Sequence, residues 1–213
     1  MHSTQIIAIR HGETDWNLAA RIQGHTDIPL NSNGQQQAQR LALALADTPL
    51  AHIYSSDLQR AWGTAQALAQ SNGAPLSAQA ALRERSFGDY EGARFADIEQ
   101  SDPPSALRWR KRDPVFAPPQ GESLQALQAR VAQVVAELAA RHLGQQIALV
   151  AHGGVLDSLY RLATRQDIQA PRTWELANTG VNRLLWTPDS GLTLVGWGDT
   201  SHLLKTGLDE TIR

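Results

Sequence analysis

The chain has 213 residues, of which 42% are hydrophobic and 19% charged, enough for one sizeable core and short for two comfortable domains. Its formal net charge is -2, so it has no general positive field that would attract nucleic acid or an acidic membrane. It contains no cysteine, which excludes disulfides, thiolate metal sites and cysteine nucleophiles. Nucleophilic or acid–base chemistry is therefore left to its histidines, carboxylates and hydroxyl groups.

The sequence shows no targeting or membrane segment. The first five residues lack a basic n-region, and no apolar run approaches the roughly 20 residues that a membrane helix needs. We therefore expect a cytoplasmic protein with no membrane and no nucleic-acid partner. Its oligomeric state stays open between a monomer and a homodimer.

The first part of the chain predicts two strands with a helix between them. The β-branched run Ile6–Ile9 predicts a buried strand that ends in Arg10-His11-Gly12. A helix is expected over about 35–46, because Leu and Ala are strong helix formers, with its cap among residues 31–33. Residues 52–55 predict the second strand.

The middle of the chain predicts two further helices around an irregular stretch. Ser56 or Asp57 is expected to cap a helix whose apolar residues recur at helical spacing. The proline-rich stretch of about 72–122 predicts an irregular insertion with one or two short helices. Ser123 is then expected to cap the longest helix, over about 124–142.

The last part of the chain predicts a strand over 147–150 that ends in His152-Gly153-Gly154, followed by a helix over about 155–163. Two late strands are expected over 184–186 and 192–197, on either side of a turn.

Strands that alternate with helices predict an α/β protein: three α/β/α layers around a mainly parallel, doubly wound sheet. The fully apolar strands fit this fold, because helices would cover both faces of the sheet. Without an evident linker or repeat, residues 1–213 are expected to form one domain, with the irregular insertion about 72–122 and a loose tail about 200–213.

Polar residues stand at three predicted strand ends. The first carries Arg10 and His11, the second leads through Ser55-Ser56-Asp57 to Arg60, and the third carries His152. Ligands of open α/β sheets bind outside the carboxyl ends of the strands, so these segments are expected to meet in one crevice.

Two histidines with two arginines suit phosphoryl transfer. Guanidinium groups grip phosphate oxygens through fixed hydrogen-bond forks and keep their charge, and glycine N–H groups can approach the same oxygens. A neutral imidazole is a competent nucleophile, and neighbouring guanidinium charges would lower its pKa. The other four histidines beyond position 20 show no spacing typical of a metal cluster, so no catalytic metal is expected.

Arg10-His11-Gly12-Glu13-Thr14 resembles the signature of the histidine phosphatase superfamily, in the branch of the phosphoglycerate mutases. The similarity continues through the chain in a series of short blocks. These are Trp16-Asn17, Arg21-Ile22-Gln23-Gly24, Asp27-Ile28-Pro29-Leu30, Ser55-Ser56-Asp57-Leu58-Gln59-Arg60-Ala61, Leu82-Arg83-Glu84, Gly88-Asp89-Tyr90-Glu91-Gly92, Gly121-Glu122-Ser123 and His152-Gly153-Gly154.

The resemblance implies a role for each matching residue. His11 would accept the phosphoryl group as phosphohistidine, and Glu84 would protonate the leaving oxygen and then activate the incoming water or alcohol. The groups implied to bind the phosphoryl group are Arg10, Arg60 and His152, with Asn17 and the Gly153 backbone assisting. The substrate side of the pocket is implied to consist of Gln23, Gly24 and Phe87. Apart from the resemblance, Arg60 could be a solvated helix residue and Glu84 an ion-paired surface group.

The resemblance leaves two activities open. Glycolytic mutases place a tyrosine where this chain has Phe87, and they carry a lysine that is missing from 93–101, whereas Trp109-Arg110-Lys111 keeps part of a substrate anchor. We therefore favour a phosphomonoester hydrolase that acts on a small phosphorylated metabolite and needs no cofactor. The alternative is a phosphoglycerate mutase dependent on 2,3-bisphosphoglycerate.

A third alternative is a pseudoenzyme that only binds phosphorylated ligands. It is less favoured, because the residues implied to form the catalytic core are all present. Asp157-Ser158 replaces an arginine expected after the Gly-Gly block, a departure at the expected rim of the pocket. The run Arg108–Arg112 is typical of a solvated charged face, although it could also draw an acidic substrate.

Overall fold

A computed structural model describes residues 3–204, and its centre is a six-stranded sheet with the order β3-β2-β4-β1-β5-β6. The strands are β1 (Thr4–Arg10), β2 (His52–Ser55), β3 (Leu76–Ala78), β4 (Gln146–Ala151), β5 (Val181–Thr187) and β6 (Gly191–Asp199). The pairings among β1, β2, β3 and β4 are parallel, whereas β5 pairs antiparallel with both β1 and β6. The prediction of a mainly parallel sheet is confirmed, with an antiparallel addition at one side.

Helices connect the strands. Those of the described residues are α1 (Asp15–Leu18), α2 (Ser32–Ala44), α3 (Gln59–Asn72), α4 (Phe95–Ser101), α5 (Pro103–Arg110), α6 (Leu124–Ala140) and α7 (Gly153–Thr164). Three short 3₁₀ helices are Ala80–Leu82, Gly88–Tyr90 and Ser201–Leu203. Between residues 3 and 204, no helix combines the length and apolarity that crossing a bilayer requires.

The alternation of side chains along β1 builds the three layers. Ile6 and Ala8 pack into one apolar cluster with residues of α6 and α7, because successive strand residues face opposite sides of the sheet. Ile7 and Ile9 pack into a second cluster with residues of α2 and α3. The predicted α/β/α arrangement therefore has a core on each face of the sheet.

Local signals fixed the start of two helices. α2 begins at Ser32 because the side chain of Asn31 accepts a hydrogen bond from Gly34 N (2.8 Å), so it starts three residues earlier than expected. α6 starts where predicted, with the Ser123 hydroxyl accepting from Ala126 N (3.1 Å). The short elements α1 and β3 were not predicted, since they span only four and three residues.

The predicted cap of α3 was wrong. Its N-cap residue is Leu58, which offers no side-chain hydrogen bond. The carboxylate of Asp27 takes this role instead and accepts from Gln59 N at 2.7 Å, while Asp57 pairs with Arg83. A cap supplied from 32 residues earlier leaves no local signal in the sequence.

The stretch 72–122 carries β3, α4, α5 and two of the 3₁₀ helices. At the other end of the chain, the Arg40 guanidinium donates to Leu203 O (3.1 Å), which ties the short helix Ser201–Leu203 to α2. The remainder of the predicted loose tail, from residue 205 onward, lies outside the described residues.

Candidate active site

The carboxyl ends of three neighbouring strands meet at one edge of the sheet. In the parallel register Arg10 of β1 lies opposite Ala151 of β4, and Ser55 of β2 lies opposite Val150. Just beyond the strands, His11 N donates to Ala151 O at 3.0 Å. The structure therefore brings together the three segments that the sequence predicted to converge.

His11 is buried and its imidazole is held in one orientation. Its Nδ1 lies 2.6 Å from Gly12 O, and because a carbonyl can only accept, Nδ1 carries the proton and Nε2 keeps its lone pair. Burial, together with the charges of Arg10 and Arg60, holds the pKa of His11 well below its usual value. The ring is thus neutral and oriented, with an Nε2 lone pair that can act as a nucleophile.

His152 lies beside His11, with 5.2 Å between the ring centroids. It is fully buried, and neither of its ring nitrogens has a hydrogen-bond partner within the described part of the chain. Burial, followed by the charge of Arg60, holds the pKa of His152 well below its usual value. Buried polar atoms are nearly always paired, so these nitrogens indicate a ligand site.

Arg10 and Arg60 contribute two guanidinium groups to the same place. One N–H of Arg10 donates to Leu176 O, and Arg60 donates to Thr26 O (3.0 Å) and Gly24 O (2.7 Å). The Nε atom of each is buried without a partner, and neither forms an ion pair within residues 3–204. Burial lowers the pKa of both groups.

Arg60 is therefore not a solvated helix residue: its exposed fraction is 0%. A buried, unpaired cation is costly unless an anion compensates it. Two such cations beside two neutral imidazoles form a cationic, hydrogen-bond-donating cavity that is suited to a phosphoryl group.

Glu84 lies at the N-terminus of α7. Its two carboxylate oxygens are 3.0 and 3.1 Å from Gly154 N, and one of them also accepts from Arg85 N at 2.8 Å. The neighbouring arginines have other partners, since Arg83 binds Asp57 and Arg85 donates to backbone carbonyls. The alternative of a surface ion pair is thus wrong, and the carboxyl faces the cavity.

The cavity has a volume of about 160 Å³. Its walls contain most of the predicted site residues and one that was not predicted, Arg21. The lining residues are Arg10, His11, Asn17, Arg21, Gln23, Gly24, Arg60, Glu84 and Phe87. Gly153 lies close by, since a Cβ added there would be 3.9 Å from Arg10 Nε.

Thr14 orients the two amide side chains of the cavity. Its backbone N–H donates to Asn17 Oδ1 (3.0 Å), and its hydroxyl lies 3.1 Å from both Asn17 Oδ1 and Gln23 Oε1. The carbonyl ends of both amides therefore point toward Thr14, which leaves their NH₂ groups as the donors available to a ligand.

Arg21 follows α1 and was missed because its position depends on a distant contact. Its guanidinium donates to Gly92 O at 2.6 Å, and the backbones of Arg21 and Arg94 form an isolated bridge. The only available signal was its place in the Arg21-Ile22-Gln23-Gly24 block, whose last two residues were predicted to line the pocket.

Phe87, which lines the cavity, forms an aromatic wall with Trp109. Phe87 stacks on Trp109, with ring centroids 5.0 Å apart and planes 7° from parallel. Arg85 lies against both rings, and burial lowers its pKa to about 10. This wall offers apolar and aromatic contacts to whatever part of a ligand extends beyond the phosphoryl group.

The basic run 108–112 is largely neutralised. Arg108 pairs with Asp113 (2.7 Å), Arg110 with Glu99, and Arg112 with Asp157 (2.6 Å). Asp157 also pairs with Arg161 (3.0 Å) and does not line the cavity. The expectation that Asp157 stands at the pocket rim is corrected, because these two arginines turn its carboxylate inward.

A metal site is not evident in this region. The part of the chain that the structure describes contains no group of three or more His, Asp or Glu side chains placed to hold a metal ion. The positively charged side chains that line the cavity are those of Arg10, Arg21 and Arg60.

The strand-end histidines and buried arginines on this α/β scaffold agree with the family comparison. Residues 6–200 match the histidine phosphatase superfamily (branch 1), and the chain therefore belongs to this family.

Individual proteins and a solved structure are also similar to this chain. The chain is 38% identical to phosphoglycerate mutase-like protein 4 of Arabidopsis thaliana, over 95% of this chain and 88% of that protein. It is 34% identical to the metal-independent phosphoserine phosphatase of the same plant, over 96% and 85% of the two chains. The native structure of mycobacterial glucosyl-3-phosphoglycerate phosphatase superposes with a TM-score of 0.83 at 31% identity, covering 93% of this chain and 100% of that one.

Proposed function

We propose that the protein is a phosphomonoester hydrolase that acts on a small phosphorylated metabolite through a phosphohistidine intermediate. One observation carries this proposal: within residues 3–204, buried nitrogens of Arg10, Arg60 and His152 have no hydrogen-bond partner. They lie near His11, whose Nδ1 is bound to Gly12 O, so that its Nε2 is left for attack. Such a set binds an anion and presents a nucleophile to it.

In the first step His11 Nε2 attacks phosphorus, and the bond from phosphorus to the ester oxygen breaks. Glu84 gives its proton to the departing oxygen, so that an alcohol leaves. The His11 ring becomes a phosphoimidazolium, and its positive charge is stabilised by the hydrogen bond that Nδ1–H donates to Gly12 O (2.6 Å between N and O).

In the second step water replaces the alcohol. Glu84 takes a proton from the water as it attacks phosphorus, the phosphorus–nitrogen bond breaks, and inorganic phosphate leaves with His11 restored. Glu84 lines the same cavity as His11, and in both steps it is proposed to act on the face of the phosphoryl group opposite His11.

The charge of the transferring group is stabilised by groups that are already in place. Arg10, Arg60 and His152 donate to the phosphoryl oxygens, assisted by Asn17 and the Gly153 N–H at the N-terminus of α7. A loose phosphoryl-transfer transition state needs positioning and charge stabilisation more than covalent help. These groups act without a metal ion.

The wall beyond the phosphoryl group favours hydrolysis over a mutase reaction. Phe87 stacks on Trp109 and has no hydroxyl to hold a phosphoglycerate, while Gln23, Gly24 and Arg21 complete this side. Two of the similar proteins reported above are named phosphatases. We further propose that residues 1–213 act as one cytoplasmic domain, as a monomer or a homodimer.

A phosphoglycerate mutase is the second candidate, because the relative at 38% identity is named phosphoglycerate mutase-like. In that reaction the phosphoryl group would return from His11 to another substrate hydroxyl, and 2,3-bisphosphoglycerate would prime the enzyme. Water would then have to be kept from the phosphohistidine.

A substrate panel tests the proposal. The purified protein is assayed for phosphate release from p-nitrophenyl phosphate and from sugar, nucleotide, phosphoserine and glycerate phosphates, in EDTA, with and without 2,3-bisphosphoglycerate. We expect release from at least one small metabolite, unaffected by EDTA. No release from any compound would contradict hydrolysis, and interconversion of 2- and 3-phosphoglycerate that depends on bisphosphoglycerate would support the mutase.

A further inference from the structure

Glu91 belongs to the Gly88–Gly92 block, for which the proposed reaction has no role. Its carboxylate is half-buried next to the cavity without lining it. One oxygen accepts from His25 N (2.9 Å) and Phe87 N (3.1 Å), and the other accepts from Thr26 N (2.7 Å) and the Thr26 hydroxyl (2.6 Å). Four donors from two segments therefore converge on one side chain.

The segment that Glu91 holds is the one that holds Arg60. The two terminal nitrogens of the Arg60 guanidinium donate hydrogen bonds to Gly24 O (2.7 Å) and Thr26 O (3.0 Å). Gly24 has a positive φ of 54°, and a Cβ added to it would lie 2.1 Å from Glu91 Oε1, so this backbone packs directly on the carboxylate. Glu91 and Arg60 are thus linked through three consecutive residues.

The carboxylate is suited to this contact because it stays charged. Burial acts to raise the pKa of Glu91, but hydrogen bonds from the Thr26 hydroxyl and the backbone N–H groups outweigh that effect and leave the pKa below its usual value. Each oxygen then accepts two donors, which a neutral amide in the same place could not do on both sides.

The geometry points to Glu91 as a positioning residue for phosphoryl transfer: its carboxylate fixes the Gly24 and Thr26 carbonyls, and these aim the buried Arg60 guanidinium at the phosphoryl group. This inference rests on the proposed function, because Arg60 is taken to bind the transferring group. A guanidinium displaced by about 1 Å loses much of its stabilisation of a transition state.

Glu91→Gln tests the link, with Asp89→Asn as the matched control. Asp89 precedes Glu91 by two residues, and its carboxylate has no hydrogen bond within residues 3–204. We expect Glu91→Gln to lower kcat/KM for p-nitrophenyl phosphate about 10- to 100-fold and to weaken inhibition by orthovanadate in parallel. Asp89→Asn should leave both quantities unchanged.

A double-mutant comparison separates positioning from a general structural role. Lysine at position 60 keeps the positive charge but lacks the planar fork whose two terminal nitrogens donate to Gly24 O and Thr26 O. In an Arg60→Lys background, Glu91→Gln should therefore lower kcat/KM less than threefold, since the two residues act as one unit. The inference would be overturned if the loss in the double variant equalled the product of the losses in the two single variants. It would also be overturned if Glu91→Gln alone kept the kcat/KM and the vanadate inhibition of the wild type.

Thr26→Val keeps the test decisive if Glu91→Gln fails to fold. It removes the hydroxyl that donates to Glu91 and preserves the side-chain shape, so we expect a several-fold loss in the same two quantities. No loss would contradict the inference. Vanadate binding also separates the two proposals: a wild-type protein that binds vanadate but hydrolyses nothing contradicts the proposed function, while the binding losses still test Glu91.

Discussion

The cavity has two sides of different construction. The phosphoryl side is made from residues that directly follow β1 and β4 or begin α3: His11 and His152 are at most 3% exposed, and Arg60 is fully buried. The substrate side is made from connecting segments, with an exposed Arg21 and a half-buried Phe87. In the proposed reaction the chemistry depends on residues anchored to the sheet, whereas specificity depends on connecting segments that can vary without disturbing it.

The largest expected effect is on the phosphoryl side. His11→Ala removes the proposed nucleophile and should lower kcat for p-nitrophenyl phosphate by about 10⁴-fold or more. His142→Ala is the control and should retain activity, because His142 lies just before the amino end of β4, whereas the cavity lies at the carboxyl ends of the strands. Thermal unfolding shows whether both variants fold, and a His11→Ala protein with more than a tenth of wild-type kcat would refute the role of His11.

The next effect depends on the leaving group. Glu84→Gln cannot protonate the ester oxygen, so hydrolysis of an alkyl phosphate should fall about 10²- to 10⁴-fold. p-Nitrophenolate leaves without protonation, so the rate of the first step with p-nitrophenyl phosphate should fall far less. The ratio of kcat/KM for the two substrates is the measurement, and equal losses on both would contradict a proton donor at Glu84.

The phosphoryl side and the substrate side also differ in how readily the sequence predicts them. Arg10, His11 and His152 follow apolar runs that are recognisable as strands, and parallel strands bring their ends together, so local patterns were sufficient. Arg21 is placed by a bond to Gly92 O, 71 residues away, which no local pattern encodes. The same applies to the Asp27 cap of α3, because both depend on how distant loops fold together.

The buried histidines give a smaller effect, on stability. His11 and His152 have a pKa well below 6.5 in the folded protein and about 6.5 when unfolded, so below pH 6.5 the unfolded chain binds more protons. The free energy of unfolding should therefore be level above pH 6.5. It should fall between pH 6.5 and 5, by up to about 1.4 kcal/mol per pH unit for each group.

Urea unfolding without phosphate, at pH 5 to 7.5, measures this dependence. The pH range lies above the titration of most carboxylates, so histidines dominate the slope. His152→Asn should make the slope shallower than that of the wild type. An identical slope in the two proteins would show that the pKa of His152 is the same in the folded and unfolded states, which would contradict a lowered pKa.

The smallest expected effect is on the substrate side. Phe87→Leu breaks the stack on Trp109 without touching the phosphoryl groups. KM for p-nitrophenyl phosphate should rise less than about tenfold, on the scale of one weakened apolar contact. Inhibition by orthovanadate should not change, and a parallel loss of vanadate affinity would show that the two sides are not independent.

The intermediate itself offers the most direct test of the mechanism. The protein is mixed with a phosphorus-labelled substrate, quenched in alkali within one turnover, digested and mapped by mass spectrometry. We predict a single phosphoryl group on His11, stable in alkali, lost in acid and absent from His11→Ala. A phosphoryl group on another residue, or one that persists in His11→Ala, would contradict a reaction that passes through His11.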